Sequence, residues 1–221
     1  MNEILFALQV TLVAAASISA LFLRREGLVA LIAIEAALAN LFVMKQVELF
    51  GLTVTCSDAF AVGSILGLNL LQERCGFERA QRATWVAFFS LLFFAIMAQI
   101  HLLFVPSPHD ASSVHFTALL TPLPRLFLAS LTTFFIVQQI DLRLFRRLRE
   151  RLPHLPWLLR SGISLLLVQL LDTALFTWMG LSGSIASMTD VILWSFSVKV
   201  AAILLFTGLL TVIRIPVQSE M

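Results

Sequence analysis

The stretch VILWSFSVKVAAILLFTGLLTVI, residues 191–213, decides the fold class. It is 23 residues long and carries one charge, Lys199. A helix that crosses a bilayer needs ~20 predominantly apolar residues, and a charge near its centre costs at least ~2.5–3.5 kcal/mol. Working outward, Trp157–Leu181 is a second such stretch, holding Asp172, and Leu52–Gln72 a third, holding Asp58. Charges retained inside apolar helices point inward, so the pattern predicts a polytopic membrane protein with a polar site in its core.

Composition agrees. Of 221 residues, 59% are hydrophobic and 13% charged, about half the charged share of a soluble domain, and the mean hydropathy is +0.96. No polar block is long enough for a separate domain, so residues 1–221 read as one membrane domain. The net charge of +2 gives no footprint for nucleic acid.

Seven spans are expected, at residues 3–23, 28–48, 52–72, 85–105, 116–141, 157–181 and 191–213. The first begins acidic, at Glu3, and its basic flank, Arg24-Arg25, follows the apolar run, the reverse of a signal peptide. Basic residues then mark alternate connections: Arg24-Arg25, then Arg74, Arg79 and Arg82, then Arg143, Arg146, Arg147, Arg149 and Arg151, then Arg214. Pro106–His115 and Ser182–Asp190 contain no Lys or Arg. Basic loops belong in the cytoplasm, which puts the N-terminus outside and the C-terminus inside. The arginine-rich run 143–151 reads as this topology signal in preference to a lipid or nucleic-acid patch.

The two cysteines are placed by the same map. Cys56 falls at the outer end of the third span and Cys75 beyond its inner end. About 28 Å of helix separates them, far past the ~7 Å limit for a disulfide. Neither has a His or second Cys at ligand spacing, so no metal site is expected.

Depth along the spans is more informative. At 1.5 Å per residue, Asp172 lies ~15 Å, Lys199 ~13 Å, Asn40 ~12 Å and Asp58 ~9–10 Å below the outer surface. With Gln169 at a neighbouring level, these side chains from four helices share one layer in the outer half. Two readings stand: a polar pocket for a substrate, or an Asp172–Lys199 ion pair that only locks the bundle. In Thr121-Pro122-Leu123-Pro124-Arg125 two prolines oppose continuous helix, so the fifth helix should start near Pro124 with Arg125 in its first turn. A cation there opposes the helix dipole; Arg125 either pairs with Asp58 or snorkels to water.

Catalytic signatures are missing. The sequence has no P-loop, H-E-x-x-H or G-x-S-x-G, and Ser130 and Ser164 have no histidine at their depth. No catalytic residue and no cofactor are expected.

The ordered motifs resemble a known family. Glu26-Gly27-Leu28 is followed by Ala39-Asn40, Lys45-Gln46-Val47-Glu48-Leu49-Phe50-Gly51 and Asn69-Leu70-Leu71-Gln72-Glu73-Arg74-Cys75-Gly76, then Arg79-Ala80. Pro124-Arg125, Ala129-Ser130, Gln138-Gln139-Ile140-Asp141-Leu142-Arg143-Leu144-Phe145, Gln169-Leu170-Leu171-Asp172-Thr173 and Lys199 follow in order. The set resembles the queuosine-precursor transporter (VUT) family, with its Asn in the second span, its FG turn and its D-x-x-x-E-x-x-G signature. The first acid of that signature is Asn69 here, so only Glu73 of the acidic pair is present.

The resemblance implies an all-α transmembrane bundle, a six-helix core plus an extra N-terminal span. It implies uptake of a 7-deazaguanine base (preQ0, preQ1 or queuine). The multi-pass pattern with outer loops of ordinary length points to a bacterial cytoplasmic membrane, and alternating access around the polar layer is the expected mechanism. On chemical grounds, a carboxylate of Asp172 or Asp58 can accept the paired N–H groups of a guanine-like edge. Lys199, Arg125 or Asn40 can donate to its carbonyl. Phe60, Phe176, Trp178, Trp194 and Phe196 are available for stacking or for lipid contact. Toward the cytoplasm, Asn69, Glu73, Gln138 and Asp141 form a second cluster, readable as a gate or proton exit, or as helix-end capping. Facilitated diffusion, proton coupling, a homo-oligomer and an energising subunit all remain open. The alternative is a substrate-capture subunit of an energy-coupling-factor importer, and a third reading is a scaffold whose charges only pair helices.

Overall fold

A computed structural model describes residues 1–42, 45–55, 57–121, 124–181 and 188–212. Eight helices carry the chain: α1 (Asn2–Phe22), α2 (Arg24–Phe42), α3 (Asp58–Cys75), α4 (Phe77–His101), α5 (Ser113–Leu120), α6 (Pro124–Arg151), α7 (Trp157–Phe176) and α8 (Met188–Val212). A hairpin, β1 (Gln46–Leu49) and β2 (Leu52–Thr55), joins α2 to α3, and a π-helical turn, Thr177–Leu181, extends α7. The molecule is helical as expected, with this one short hairpin added.

The hairpin corrects two boundaries. The second span ends at Phe42 instead of Glu48, and the third helix begins at Asp58 instead of Leu52. The strands pair antiparallel in the register Val47 with Val54 and Leu49 with Leu52. Their turn residues, Phe50 (φ 53°) and Gly51 (φ 76°), both have positive φ, which a type I′ turn requires. Two bonds tie the hairpin to the start of α1: Asn2 Nδ2 donates to the Glu48 carbonyl (2.9 Å), and the Phe50 N–H donates to Glu3 Oε1 (3.3 Å). Apolar alternation in a four-residue strand is indistinguishable from the end of a helix, and that caused the misreading.

Helix α4 starts at Phe77, eight residues before the expected Trp85, because Gly76 alone joins it to α3. Gly76 has φ 87° and ψ 168°, a conformation that a side chain resists. The fifth span is divided as the prolines dictate, into α5 and an α6 that starts at Pro124. Helix α6 then runs 28 residues, ~42 Å, well past Asp141. Its arginines find local partners. Arg143 donates to the Gln139 carbonyl (3.0 Å), Arg146 pairs with Glu150 (2.9 Å) and lies over the Phe77 ring, and Arg149 donates to the Gln72 carbonyl (3.0 Å).

Helix α3 is the central post. It packs against α1, α2, α4, α6, α7 and α8, and Val62 through Gln72 are all buried. Gly63 and Gly67 permit the close approach that small residues give membrane helices. A Cβ on Gly67 would lie 3.1 Å from Ile32 of α2, and one on Gly63 would lie 2.5 Å from Val13 of α1. The outer surface is apolar: Leu5, Leu8 and Leu12 of α1, Phe89, Phe93 and Ile96 of α4, and Leu193 and Leu204 of α8 are exposed. A continuous apolar exterior of this kind needs a membrane or partner to cover it. Among the described residues, four helical segments are long and apolar enough to cross a bilayer: Asn2–Ala20, Phe77–His101, Trp157–Gly180 and Val191–Gly208.

Candidate functional site

Three charged side chains from three helices meet inside the bundle. Asp58 is in the first turn of α3, where the helix dipole favours an anion. Asp172 lies one turn before the π-helical segment of α7, and Lys199 lies eleven residues into α8. Lys199 Nζ donates to Asp172 Oδ2 at 2.5 Å and lies 3.9 Å from Asp58 Oδ1. Asp58 and Lys199 are almost fully enclosed, whereas 23% of the Asp172 side chain is exposed. Asp172 is therefore the most accessible of the three side chains.

The level of Asp58 was counted from Leu52, yet it meets the other two groups. Residues 52–55 form a strand, so the helix proper begins at Asp58, at the level of the site. The partner of Asp58 is Lys199. Arg125 is in the first turn of α6 as expected, but its side chain lies outside the described residues, as do Pro122, Leu123 and Cys56. Cys75, at the end of α3, is a free thiol.

Gln169 lies one turn inward from Asp172 on the same face of α7. It is fully buried, and neither its carbonyl nor its amide nitrogen has a hydrogen-bond partner among the described residues. Gln138 of α6 has the same character. The Ser164–Asp141 bond (2.6 Å) fixes the register of antiparallel α6 and α7, which puts Gln138 level with residue 167 and ~3 Å in height from Gln169. Buried amides are almost always hydrogen-bonded. Two orphaned amides thus stand at one level, about a helical turn along α7 from Asp172. With Asp58 Oδ2 they make five unpartnered polar atoms.

Asn40 stands somewhat apart. It bonds to Ser130 of α6, and its Nδ2 donates to the Ala36 carbonyl (3.0 Å). The aromatics divide. Phe60 stacks on Phe42 with centroids 5.8 Å apart, while Trp178 and Trp194 are 65% and 51% exposed on the outer surface, which removes them as stacking platforms in this conformation.

Toward the other end, Asn69, Glu73 and Asp141 lie at the α3–α6–α7 contact, in two groups; Gln138, expected with them, has no hydrogen bond to any of them and stands level with Gln169 instead. Asn69 Nδ2 donates to Ser161 Oγ (3.2 Å) and Ser164 Oγ donates to Asp141 Oδ1. Glu73 takes Arg160 NH2 at 2.7 Å and has Arg149 at 3.6 Å. Gln72 Nε2 donates to the Leu142 carbonyl (3.1 Å). Arg160, Ser161 and Ser164 were missed as members of this cluster. Their spacing of one and four residues on α7 was the available signal, since it puts them on one helix face.

Another residue was missed. Glu35, midway along α2, is 2% exposed with both carboxylate oxygens unpartnered among the described residues. The rule that singled out Asp172 and Lys199, a charge inside an apolar run, applies equally to LVALIAIEAALANLF, residues 28–42.

A helical bundle with an apolar exterior and a buried ion cluster fits a polytopic membrane protein, and the comparisons give its class. The chain belongs to the family described as "Putative vitamin uptake transporter", whose model matches residues 59–213. That description and the name of a curated relative are both of transporters, and this chain is a membrane transporter, not an enzyme. It is similar to the "Probable queuosine precursor transporter" of Bacillus subtilis (strain 168), with 35% identity over 161 residues, covering 72% of this chain and 70% of the relative. No solved structure matches at a significant level.

Proposed function

We propose that the chain imports a 7-deazaguanine base, a queuosine precursor or queuine, across a bacterial cytoplasmic membrane. It crosses seven times, through α1, α2, α3, α4, α6, α7 and α8, with the N-terminus outside. The observation that carries this reading is the meeting of Asp58, Asp172 and Lys199 beside the orphaned Gln169 amide. The substrate class is supported by the relative's name and by complementarity. A guanine-like edge offers adjacent N–H donors and a carbonyl, and Asp172 accepts the first while Lys199 and Gln169 donate to the second.

Lys199 and Asp172 satisfy each other when the site is empty, and an arriving base exchanges that bond for its own. The aqueous route switches sides by alternating access. The inner ties, Glu73 with Arg160 and Asp141 with Ser164, hold the cytoplasmic end closed until the base is bound. Asn69 keeps the hydrogen-bonding part of the missing acid's role, through Ser161, without its charge.

The test is rescue of queuosine in tRNA. A bacterium unable to make queuosine, lacking its own importer but retaining the downstream enzymes, is given each base at low concentration. Modified tRNA should depend on this chain and vanish with Asp172→Asn or Lys199→Met, both checked for insertion. No dependence for any base overturns the substrate assignment. Tight binding without autonomous uptake would instead identify a capture subunit that needs an energising partner.

A further inference from the structure

Glu35 has no role in the substrate site, and its surroundings are unusual for a carboxylate. It lies eleven residues from the Arg24 end of α2 and seven from Phe42, ~16 and ~10 Å from the two ends. Its side chain presses on the backbone of α3, since a Cβ built on Gly63 would lie 3.1 Å from each of its oxygens. Val13 of α1 closes the same contact, 2.5 Å from that Cβ position. Ser17, one turn along α1 from Val13, donates its hydroxyl to the Val13 carbonyl (3.0 Å).

Among the described residues no cation pairs with it. Along α1 the titratable side chain is Glu3 at the outer end; along α3 they are Asp58 at the outer end and Glu73, Arg74 and Cys75 at the inner end. Helix α4 has Glu78, Arg79 and Arg82 in its first two turns and His101 at its last residue. Helix α2 itself has Arg24, Arg25 and Glu26 in its first turn. Helix α6 touches α2 through Ser130 and Asn40; it holds Arg125 at its outer end, Asp141 eleven residues inward of Ser130, and Arg143, Arg146, Arg147, Arg149, Glu150 and Arg151 beyond.

We propose that Glu35 is a proton-binding site that couples transport to the proton gradient. The inference rests on the transport reading above. A fixed structural role at this position is better filled by an apolar side chain, because a carboxylate here has neither a hydrogen-bond partner nor a counter-charge among the described residues. Acid chemistry is useful only if the group changes charge. Neutral, the carboxyl fits against Gly63 and Val13 and lets α2 and α3 stay in contact. Ionised, it must be reached by water, which requires those helices to separate. Protonation from one side and release to the other therefore links the charge of Glu35 to the α2–α3 contact, and α3 holds Asp58. One proton enters with each base, and the carboxylate is regenerated on release. A metal ion is a poor fit, since it needs several oxygen ligands, and the described residues contain no cluster of three acidic, His or Cys side chains.

The experiment uses the purified full chain in liposomes, as wild type and Glu35→Gln. Counterflow of labelled base into base-loaded vesicles, without a gradient, tests the transport reading alone. With acid outside, wild type should accumulate base about tenfold per pH unit for one proton and acidify a trapped pH dye when base is added. Glu35→Gln should keep counterflow and lose both responses. Wild-type counterflow without proton movement, or gradient-driven accumulation by Glu35→Gln, overturns the proposal. Infrared difference spectra over a pH titration read the same group without any substrate. A reversible carboxyl carbonyl band must disappear in Glu35→Gln, or shift in Glu35→Asp should the first variant fail to insert. Its persistence unchanged also overturns the proposal, even where no base is transported.

Discussion

Removing the one cation of the buried cluster, with Lys199→Met, leaves Asp58 and Asp172 facing each other. Lys199 Nζ is 2.5 Å from one carboxylate and 3.9 Å from the other. At 3.9 Å and an effective dielectric of ~20, one such attraction is about 4 kcal/mol, and breaking a buried pair from one side costs ~3–5 kcal/mol. Partial exposure of Asp172 argues for the lower half of that range. The folded-to-unfolded ratio should fall by roughly 150- to 900-fold. Neutralising the whole cluster, Asp58→Asn with Asp172→Asn and Lys199→Met, removes both the attraction and the stranded charges and should recover most of the loss. Transport should be abolished in both. The assay pairs reversible unfolding by steric trapping in bicelles with labelled-base uptake. A single variant as stable as the triple one would refute the buried network, and uptake by the triple variant would reduce the cluster to a helix lock.

The inner ties give a graded comparison. Arg160→Ala removes the closer of the two cations on Glu73 and should cost ~1.5–3 kcal/mol, whereas Arg149→Ala, at a half-exposed arginine 3.6 Å away, should cost no more than ~1 kcal/mol; thermal unfolding in detergent separates them. Asn40→Leu and Ser130→Ala should be non-additive, with a coupling of ~1 kcal/mol in a double-mutant cycle. Gly51→Val forces a β-branched side chain into positive φ, at a cost of ~1–2 kcal/mol, and should raise amide exchange across 46–55 while leaving α3 protected. For orientation, Ser107→Cys and His154→Cys in a Cys56→Ser, Cys75→Ser background should react with an impermeant maleimide in intact cells at position 107 and not at 154.

Much of this architecture was legible because charge in an apolar run has few places to go. Asp172 and Lys199 were placed at one depth by counting residues at 1.5 Å each, and they bond. Pro124 was read as a helix start, and it is one, because the proline ring excludes a preceding helical turn. The hairpin was not legible as strands: Gln46–Thr55 is too short for alternation to register, although Phe50-Gly51 was seen as a turn. The same oversight displaced the start of α3 by six residues and left Asp58 correctly grouped for an incomplete reason. Trp178 and Trp194 could not be assigned inward or outward, because apolar periodicity is blurred where both lipid and core are apolar. Glu35 was missed despite a readable signal. Arg125 remains as the sequence left it.

The most direct measurement is an experimental structure of the chain determined with preQ1 at saturating concentration. The account predicts the base between α3, α7 and α8, its N–H edge on the Asp172 carboxylate and its carbonyl within hydrogen-bonding distance of Lys199 or Gln169, with the Lys199–Asp172 bond rearranged. A base bound elsewhere, or no bound base with the Lys199–Asp172 bond intact, would contradict it.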